Sequence, residues 1–529
     1  MSGNHLPPWL ADTVLYQIFP PSFADGNGDG IGDLAGIEAH LDHLSWLGID
    51  TVWLSPCFAS PFGDAGYDVS DYCAIAPRYG TREDLARLVE AARSRGIRVL
   101  LDLVAGHTSD RHAWFIASAN DPTDDRYIWA PTLVENYVPS PGTRPGFYLK
   151  NYYDIQPALN FGFGRPDESQ PWRQPVDAPG PLANRRALRD ILDFWMATGV
   201  AGFRVDMASS LVKDDPGWVE TAKLWREFRG WLDASHRGTV LFAEWGDPRT
   251  SVPGGFHVDF FLHFTGRAFR SLWDNGAVTR PDWPAGTPFF DSSGEGSVRE
   301  FLADWAAAME TVADTGFVAL PSSNHDFPRL AAGLRTGGQL RAAFIFLLTW
   351  PTLPAIYYGD EIGMRFIPGL PDKEGSQRNP SYNRAGSRTP MQWDGSINAG
   401  FSTATADRLY LPIDPDPDRP TVTAQRDDPG SLLRLVRDLI AVRRAYPALG
   451  TRGTTEVVHA GYPFVYRRGG EFLVAINPRA TAASVPLSGS PGTLVLGSPA
   501  YAANTLDVPG FGYAIYRRET MPPAASSNT

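Results

Sequence analysis

Eight short apolar runs alternate with amphipathic stretches over about the first 360 residues, and this alternation limits the fold more than any other feature. Parallel βα units produce such a pattern, because helices cover both faces of each strand. Eight units favour a closed (β/α)8 barrel, an α/β fold, over an open doubly wound sheet. The predicted strands are residues 14–19, 51–54, 99–104, 202–205, 240–243, 258–262, 318–320 and 355–358.

Helical patterns fill the intervals between these runs, at residues 34–47, 82–95, 184–198, 216–233 and 297–314. Residues 107–181, after the third strand, are rich in aromatic residues and proline, and are too long for an ordinary βα loop. We therefore predict an inserted subdomain there, within a barrel formed by residues 1–106 and 182–450. A second irregular stretch, residues 359–429, follows the eighth strand.

The C-terminal part of the chain has a different pattern. After the amphipathic stretch SLLRLVRDLIAVRRAYPAL, short runs such as FLVAINP and FGYAIYRR alternate apolar and polar residues. Such runs predict a C-terminal antiparallel β-sandwich over residues 451–518. The tail, residues 519–529, is rich in Pro, Ser and Ala and is predicted to be disordered.

Charge and targeting signals exclude several classes of function. A net charge of −12 disfavours binding to nucleic acid or to an anionic membrane surface. No run of roughly 18 apolar residues is present, and the N-terminus, MSGNHLPPWLADTV, lacks a secretory pattern. We therefore expect a cytoplasmic location, with Cys57 and Cys73 as reduced thiols. A monomer or weak homodimer is expected.

Three acidic residues stand at the C-terminal ends of predicted strands. Asp206 ends GFRVD, Glu244 ends VLFAE, and Asp326 lies in SSNHD just past the seventh strand. Groups at these ends of a barrel face one shared pocket. A strand that runs from apolar residues straight into a carboxylate is costly unless the charge has a partner or a function. Three such carboxylates together predict an active site.

The chemistry that suits this trio is cleavage of a glycosidic bond with retention of configuration. One carboxylate attacks the anomeric carbon, while a carboxylic acid about 5–5.5 Å away protonates the departing oxygen. Arg204 lies two residues before Asp206, hence on the same strand face, where it would lower the pKa of the nucleophile. Poor solvation, for example against Trp245, would keep Glu244 protonated.

Nine segments of the chain, in order, look like motifs of one known family. They are VLYQIFPPSFADGNGDGIGDL, TVWLSPCFASP, GYDVSDY, VLLDLVAGHTSD, GFRVDMASS, LFAEW, SSNHD, YYGDEIGM and SRTPMQWD. They span residues 12–394 and resemble the α-amylase family, glycoside hydrolase family 13. Within it, they resemble the branch of α-glucosidases, oligo-1,6-glucosidases and trehalose synthases.

This resemblance implies specific roles for the acidic trio. Asp206 would be the nucleophile, Glu244 the general acid/base and Asp326 the transition-state stabiliser, with Arg204 beside the nucleophile.

The resemblance also implies a set of substrate-binding residues. His107 and His325 would hydrogen-bond sugar hydroxyls, and Tyr67 would stack on the same ring. Asp68 would bind the non-reducing-end hydroxyls and pair with Arg388. Such a pair would close the pocket and give action on a terminal glucose, although an ordinary surface ion pair is the alternative.

The segment DGNGDGIGD, residues 25–33, spaces oxygen ligands as a calcium loop does. Asp25, Asn27, Asp29 and Asp33 supply hard oxygen donors around a turn that glycines permit. In the resembling α-glucosidases a structural cation lies here and the backbone carbonyl of Ile31 contributes. We therefore expect structural Ca²⁺ or Mg²⁺ and no organic cofactor, the alternative being a solvated turn.

Four positions depart from the family pattern. Gly106 stands where the family usually has Asn, which argues against a second calcium at the insertion. Ala158 replaces a usual Asp, and Met207 follows the nucleophile where Val, Ala or Thr accompany known linkage preferences. Trp245 follows the acid/base and is expected to shape the acceptor side. Together these residues leave the linkage specificity open and suggest an unusual substrate.

Three functions remain compatible with these motifs. The first is an exo-acting α-glucosidase on short α-glucosides. The second uses the same covalent intermediate but passes glucose to a sugar, as a transglucosylase or as an isomerase of the trehalose synthase or sucrose isomerase type. The third, which the retained trio disfavours, is a non-catalytic sugar-binding relative.

Overall fold

Eight parallel strands close into a barrel in the computed structural model, which describes residues 6–274, 286–333, 335, 337–371, 373–375 and 383–518. Around the barrel the order is β1-β8-β7-β6-β5-β4-β3-β2, so strands adjacent in sequence are neighbours in space. The predicted fold class is confirmed. The strands are β1 Leu15–Ile18, β2 Thr51–Leu54, β3 Arg98–Val104, β4 Gly202–Asp206, β5 Val240–Ala243, β6 Val258–Phe260, β7 Phe317–Pro321 and β8 Leu353–Tyr357.

Helices surround the barrel and continue beyond it. Within the described residues they are α1 Leu34–Ala39, α2 Leu41–Leu47, α3 Arg82–Ser94, α4 Ala113–Ser118, α5 Pro179–Met196, α6 Val219–Ser235, α7 Pro248–Ser251, α8 Ala268–Trp273, α9 Arg299–Val312, α10 Gly337–Thr349, α11 Val422–Asp427 and α12 Leu432–Ala445. Side chains satisfy the free N–H groups at several starts: Asp33 caps α1, and Thr81 forms a capping box with Asp84 at α3.

The barrel has an inner and an outer core. Apolar side chains such as Leu15, Trp53, Phe242 and Phe260 fill the interior, while a second cluster packs the outer strand faces against the helices. Because successive strand residues point to opposite faces, each strand serves both cores. The strands are therefore buried on both sides, as the continuous apolar runs predict.

The segment after β3 forms its own small sheet. Its three antiparallel strands are Trp129–Ala130, Tyr137–Pro139 and Phe147–Leu149. The segment returns to the barrel through an isolated bridge between His107 and Ala158. The predicted boundary at residue 181 falls just inside α5, which begins at Pro179. The division into separate domains stays a prediction.

Two antiparallel sheets follow α12. The larger has the strand order β9-β10-β11-β16-β13 and the smaller β12-β15-β14. Apolar side chains including Val465, Leu473 and Leu506 pack between them, so the predicted sandwich is confirmed. Its strands are β9 Thr455–Ala460, β10 Phe464–Arg468, β11 Phe472–Ile476, β12 Ala483–Pro486, β13 Thr493–Gly497, β14 Ala500–Ala502, β15 Thr505–Val508 and β16 Tyr513–Arg517. The tail predicted to be disordered lies outside the described residues.

Buried arginines join this sandwich to the barrel. Arg443 of α12 donates hydrogen bonds to the carbonyls of Leu348 and Thr352. Arg468 of β10 donates to the carbonyls of Thr349 and Gly450. These bonds satisfy carbonyls in the last turn of α10, just after it and before β9, where the helix and sheet ladders supply no donor. In the described part of the chain, no helix combines the length and apolar character needed to cross a membrane.

Candidate active site

Arg204 connects three carboxylates at the C-terminal ends of the barrel strands. In β4 it lies in register with Asp102 of β3. Its Nη1 is 2.8 Å from Asp102 and 3.1 Å from Asp206, and its Nη2 is 2.6 Å from Glu244. The guanidinium offers several donors in a fixed plane, so one residue can orient several acids. Arg204 thus lies beside Asp206, as predicted.

The predicted nucleophile and acid/base lie side by side. Asp206 and Glu244 share the guanidinium of Arg204 and line the same cavity. The backbone N–H of Met207 donates to Glu244 Oε2 at 2.8 Å. Met207 adopts a left-handed conformation, with φ at 43°, which is costly for a residue with a side chain. That conformation turns the chain after β4 toward Glu244.

The pKa of Asp206 differs from the sequence expectation. Burial raises it well above the usual range and the nearby Glu244 raises it further, while Arg204 opposes both. Arg204 thus lowers the pKa of Asp206, as predicted, but burial and Glu244 outweigh it and the net direction is upward. Two adjacent buried carboxylates repel each other when both are ionised, which costs free energy. The pair therefore retains one proton, which one member can donate to a substrate.

Asp326 has the opposite electrostatic character. Burial would raise its pKa, but His325, Arg384 and Arg388 hold it well below the usual range. Arg384 Nη1 is 2.7 Å and Arg388 Nη2 is 3.0 Å from Asp326 Oδ1. Asp326 therefore stays ionised, as suits a group that faces a developing positive charge.

Tyr67 and His325 form a stacked pair beside the trio. Their ring centroids lie 5.4 Å apart with 10° between the planes. Gln17 Nε2 lies 2.8 Å from His325 Nδ1, and His325 Nε2 lies 2.9 Å from the Tyr67 hydroxyl and 3.2 Å from Asp326. The amide donates to Nδ1, so Nε2 carries the proton. Burial lowers the pKa of His325 well below its usual value, in keeping with a neutral ring.

His107 lies in the wall of the same cavity, with both ring nitrogens bonded to the protein. Nε2 is 3.0 Å from the backbone carbonyl of Tyr67, and Nδ1 is 2.9 Å from the side-chain amide of Asn151. Burial lowers the pKa of His107 to about 4. Its predicted hydrogen bond to a sugar hydroxyl stays a prediction and would require an exchange of these partners.

The predicted pair of Asp68 and Arg388 is wrong within the described residues. Asp68 is fully buried, and its carboxylate accepts from Ser60 Oγ and from the backbone N–H groups of Gly63 and Asp64. Arg388 instead reaches Asp326 and the carbonyl of His325. Asp68 therefore supports its own loop and is not among the residues that line the cavity.

Asp64, which the sequence reasoning missed, occupies the place expected of Asp68. Its Oδ1 lies 3.0 Å from Arg384, and its Oδ2 accepts from Gln156 at 2.9 Å. The turn reverses through Ala65, whose φ is 51°, which moves Asp64 and Asp68 to different sides of the loop. Arg384 lies four residues before Arg388, a spacing that could have indicated a shared face across the 3₁₀ turn Ala385–Ser387.

These groups line a cavity of about 290 Å³. It contains all three predicted catalytic acids, so the three residues converge in space although they are far apart in the chain. The residues singled out from the sequence that line it are Tyr67, His107, Asp206, Met207, Glu244 and Asp326. Those that the sequence reasoning missed are Asp64, Tyr152, Gln156, Ser209, His263, Phe264 and Arg384. Arg204 and His325 lie behind its wall, and Trp245 packs away from it against Trp218 and Phe256.

The predicted cation loop is folded around its own side chains. Asp25 accepts from the backbone N–H groups of Gly28 and Gly30, and Asp29 from that of Ile31. Asp33 is buried and accepts from three N–H groups of the same turn. Hard oxygens fit Ca²⁺ or Mg²⁺, yet the described residues contain no cluster of three His, Cys, Asp or Glu side chains poised to bind a metal. A site would need the Asn27 amide and the Ile31 carbonyl, and it stays a prediction.

Comparison with known proteins gives the family. The model of the alpha-amylase catalytic domain matches residues 17–252 and 289–452. The trehalose synthase/amylase TreS of Mycobacterium tuberculosis (strain CDC 1551 / Oshkosh) is 33% identical over 501 residues, which are 85% of this chain and 78% of that protein. The oligo-1,6-glucosidase of Parageobacillus thermoglucosidasius is 29% identical over 530 residues, 89% of this chain and 90% of that one.

A solved structure with the same architecture is the isomaltulose synthase from Erwinia rhapontici NX5. It is 27% identical, with a TM-score of 0.81, and the match covers 97% of this chain and all of that one. The barrel, the three converging carboxylates and these matches agree. The chain belongs to the α-amylase family, glycoside hydrolase family 13, in the branch of the α-glucosidases and trehalose synthases.

Proposed function

We propose that this chain is a retaining, exo-acting α-glucosidase that removes terminal glucose from short α-glucosides. The observation that supports this most is the charged wall at one end of the cavity. Arg384 lies between Asp64 and Asp326, and all three line the cavity. A polar wall of this kind hydrogen-bonds the hydroxyls of one terminal sugar and leaves no passage for a longer chain.

The exposed part of the cavity lining suits a leaving group. Phe264 is 46% exposed and Tyr152 is 40% exposed, although both line the cavity. Exposed aromatic faces at a cavity mouth favour contact with an apolar or sugar surface. The glycone would therefore lie against Asp64 and the aglycone between these rings.

The first chemical step forms a covalent intermediate. An oxygen of Asp206 attacks the anomeric carbon while Glu244 gives its proton to the glycosidic oxygen, whose bond to that carbon breaks. Positive charge develops on the sugar ring, and the ionised Asp326 stabilises it. The products are a glucosyl ester on Asp206 and a free alcohol.

The second step returns both acids to their starting states. Glu244, now ionised, takes a proton from water, whose oxygen attacks the anomeric carbon from the face that the alcohol left. The ester bond to Asp206 breaks and glucose departs with its original configuration.

A second candidate function is transfer of the glucosyl group to a sugar. The relatives named trehalose synthase and isomaltulose synthase favour it, because they align over most of this chain. The same ester intermediate would serve, with a sugar hydroxyl in place of water. The product would then depend on whether the sugar released in the first step, glucose or fructose, stays in the cavity and acts as the acceptor.

Product analysis separates these functions. The protein is incubated with maltose, isomaltose, trehalose and sucrose, and the sugars are resolved by chromatography. Release of monosaccharides alone supports hydrolysis, whereas a new disaccharide supports transfer. Absence of turnover on these sugars and on p-nitrophenyl α-glucoside would contradict both candidates.

A variant tests the assignment of the nucleophile. Asp206→Asn should lower kcat on p-nitrophenyl α-glucoside by at least about 10⁴-fold, since a carboxamide cannot form the ester. Asp407→Asn, at an exposed acid far from the cavity, is the matched control and should leave kcat unchanged. Equal activity in the two variants would contradict the assignment.

We also propose that the loop at residues 25–33 holds a structural Ca²⁺ or Mg²⁺. Asp25, Asn27, Asp29, Asp33 and the Ile31 carbonyl would be its ligands. The ion would supply only stability, since none of these residues lines the catalytic cavity.

A further inference from the structure

A chain of hydrogen bonds reaches the active site from a neighbouring cavity. Lys213 Nζ donates to Asn151 Oδ1 at 2.7 Å, and Asn151 Nδ2 lies 2.9 Å from His107 Nδ1. His107 Nε2 then lies 3.0 Å from the carbonyl of Tyr67. Lys213 lines a cavity of about 410 Å³ that shares Tyr152 with the catalytic cavity. The four residues therefore connect two cavities.

The chemistry of each group determines which atom donates and which accepts in this series of hydrogen bonds. A lysine ammonium can only donate, so the carbonyl oxygen of Asn151 must face Lys213 and its NH₂ must face His107. His107 Nδ1 therefore accepts, and its proton lies on Nε2, where it can be donated to the Tyr67 carbonyl. The Tyr67 carbonyl, which can only accept, requires the same proton on Nε2. The cation and the carbonyl therefore act on opposite sides of the ring to favour one tautomer.

Gly106 supplies the space for this arrangement. A Cβ atom built at residue 106 would lie 3.0 Å from Ser210 Oγ and 3.3 Å from Asn151 Nδ2. Both contacts are tighter than ordinary packing, so a larger side chain would displace the Asn151 amide. Asn151 comes from the insertion and fills the volume beside His107 that a side chain at residue 106 would otherwise take.

We propose that Lys213 and Asn151 are positioning residues that hold His107 as its Nε2–H tautomer and, through His107, fix Tyr67 against the glucosyl ring. This role rests on the proposed function. Tyr67 is stacked on His325, and its hydroxyl donates to Asp102 at 3.1 Å. A shift of its backbone would therefore disturb both the sugar platform and the partner of Arg204.

The surroundings of Lys213 support such a role. Three other charged side chains share its cavity: Lys150, Asp214 and Asp215. Asp214 is bound by Arg173, and Asp215 accepts from the N–H groups that begin α6. Among the described residues, the ammonium contacts only neutral oxygens, those of Asn151 and of the Ser210 carbonyl. A half-buried cation that has no carboxylate partner among the described residues is costly, so its two hydrogen bonds to neutral oxygens hold it in a defined place.

Burial lowers the pKa of Lys213 to about 7. The ammonium form is therefore present below pH 7 and is lost as the pH rises through that value. A neutral amine can also accept a hydrogen bond, so above pH 7 the Asn151 amide is free to turn. His107 has a pKa of about 4 and does not titrate in this range.

Enzyme kinetics give the first test, with p-nitrophenyl α-glucoside as substrate. Its good leaving group reduces the need for protonation by Glu244. The fall of kcat/KM at alkaline pH therefore reports the titration of other groups. At pH 6, Lys213→Met should lower kcat/KM roughly tenfold, the effect of one lost charged hydrogen bond. Lys213→Arg should keep kcat/KM within about threefold of wild type and, because arginine stays protonated, hold it to pH 8.5, where wild type declines.

Lys150→Met is the matched control, since Lys150 lines the same cavity but lies outside the chain of hydrogen bonds. Its kcat/KM and pH profile should match those of wild type. Equal profiles in wild type, Lys213→Met and Lys213→Arg would overturn the proposal.

Nitrogen NMR of selectively labelled histidine gives a second test that does not need activity. Wild type should show His107 protonated on Nε2 alone, and Lys213→Met should show a mixture of tautomers. Asn151→Asp reverses the polarity, because a carboxylate cannot donate, and should place a proton on Nδ1. An unchanged His107 signal in both variants would overturn the proposal. A wild type without α-glucosidase activity would refute the proposed function but leave this test intact.

Discussion

The guanidinium of Arg204 forms ion pairs with three carboxylates, those of Asp102, Asp206 and Glu244. Asp102 is held behind the cavity, while Asp206 and Glu244 face it. The guanidinium of Arg204 holds the three acids at fixed positions. It does not line the cavity itself, so it leaves the space for the sugar free. Arg204 therefore contributes mainly geometry, because burial and Glu244 outweigh its effect on the pKa of Asp206.

Two aspartates four residues apart should respond differently to substitution. Asp64→Asn should raise KM by roughly tenfold with a smaller change in kcat, since it weakens contacts with the bound sugar. Asp68→Ala should leave KM unchanged and lower the free energy of unfolding by about 1–3 kcal/mol, because three donors lose their acceptor.

Steady-state kinetics and denaturant titration of both variants give the comparison, each variant serving as the control of the other. A rise in KM in Asp68→Ala without any rise in Asp64→Asn would reverse the assignment made from the structure.

The three proposed catalytic acids could be found from the sequence, whereas Asp64, the acid proposed to bind the terminal sugar, could not, and the reason is physical. Asp206, Glu244 and Asp326 follow barrel strands or lie just beyond one, and strand direction fixes where such side chains point. Asp64 and Asp68 lie in an irregular loop. The loop turns through Ala65 in a left-handed conformation, which sequence patterns rarely indicate for a residue other than glycine.

Among the elements, the loop after β7 is tied to the segment at residues 383–394 by Asp326, Arg384 and Arg388. These partners depress the pKa of Asp326. A depressed carboxyl pKa stabilises the fold above the unfolded value of about 3.9, and this contribution is lost as the pH falls below it.

The melting temperature of wild type should therefore fall more steeply between pH 5 and pH 3 than that of Asp326→Asn. Thermal unfolding followed by circular dichroism at several pH values measures both slopes. Asp438→Asn, at an exposed acid on α12, should retain the slope of wild type. Parallel curves for wild type and Asp326→Asn would contradict this linkage.

The boundaries of elements were predictable where the pattern was regular. The run predicted at 240–243 coincides with β5, and the helix predicted at 82–95 ends one residue early at Ser94. The single helix predicted at 34–47 is instead two helices, α1 and α2, separated at His40. His40 Nδ1 lies 2.8 Å from the carbonyl of Gly36 and its ring packs on Trp393. A tertiary contact thus interrupts a favourable periodicity.

The cation loop between β1 and α1 allows a test by metal removal. If the loop binds Ca²⁺ present at about 100 times its dissociation constant, a chelator should lower the free energy of unfolding by about 2.7 kcal/mol. The kcat of the folded enzyme should not change. In Asp29→Ala, which lacks one proposed ligand, the chelator should have little effect. An equal response in wild type and Asp29→Ala would contradict the site.

At the scale of the whole molecule, Arg468 joins the sandwich to the barrel. Arg468→Met should lower the free energy of unfolding by about 3 kcal/mol or more, because several buried carbonyls lose their donor. Arg467→Met, one residue away, alters a side chain paired only with the exposed Glu456 among its described partners and should change stability little.

Denaturant unfolding measured by tryptophan fluorescence and by residual activity tests this connection. The two curves should coincide and shift together in Arg468→Met, since the sandwich and the barrel share these bonds. A separate early transition that leaves activity intact would show that the sandwich unfolds independently.

The absence of a side chain at residue 106 has a consequence for how this sequence can diversify. Asn151 comes from the insertion and Gly106 from the end of a barrel strand, yet they share one small volume beside His107. A larger side chain at either position would therefore collide with the residue at the other. An evolutionary exchange that places asparagine at 106 should be accompanied by a smaller residue at 151, and the double substitution should be better tolerated than Gly106→Asn by itself. During evolution, substitutions at positions 106 and 151 would then occur together.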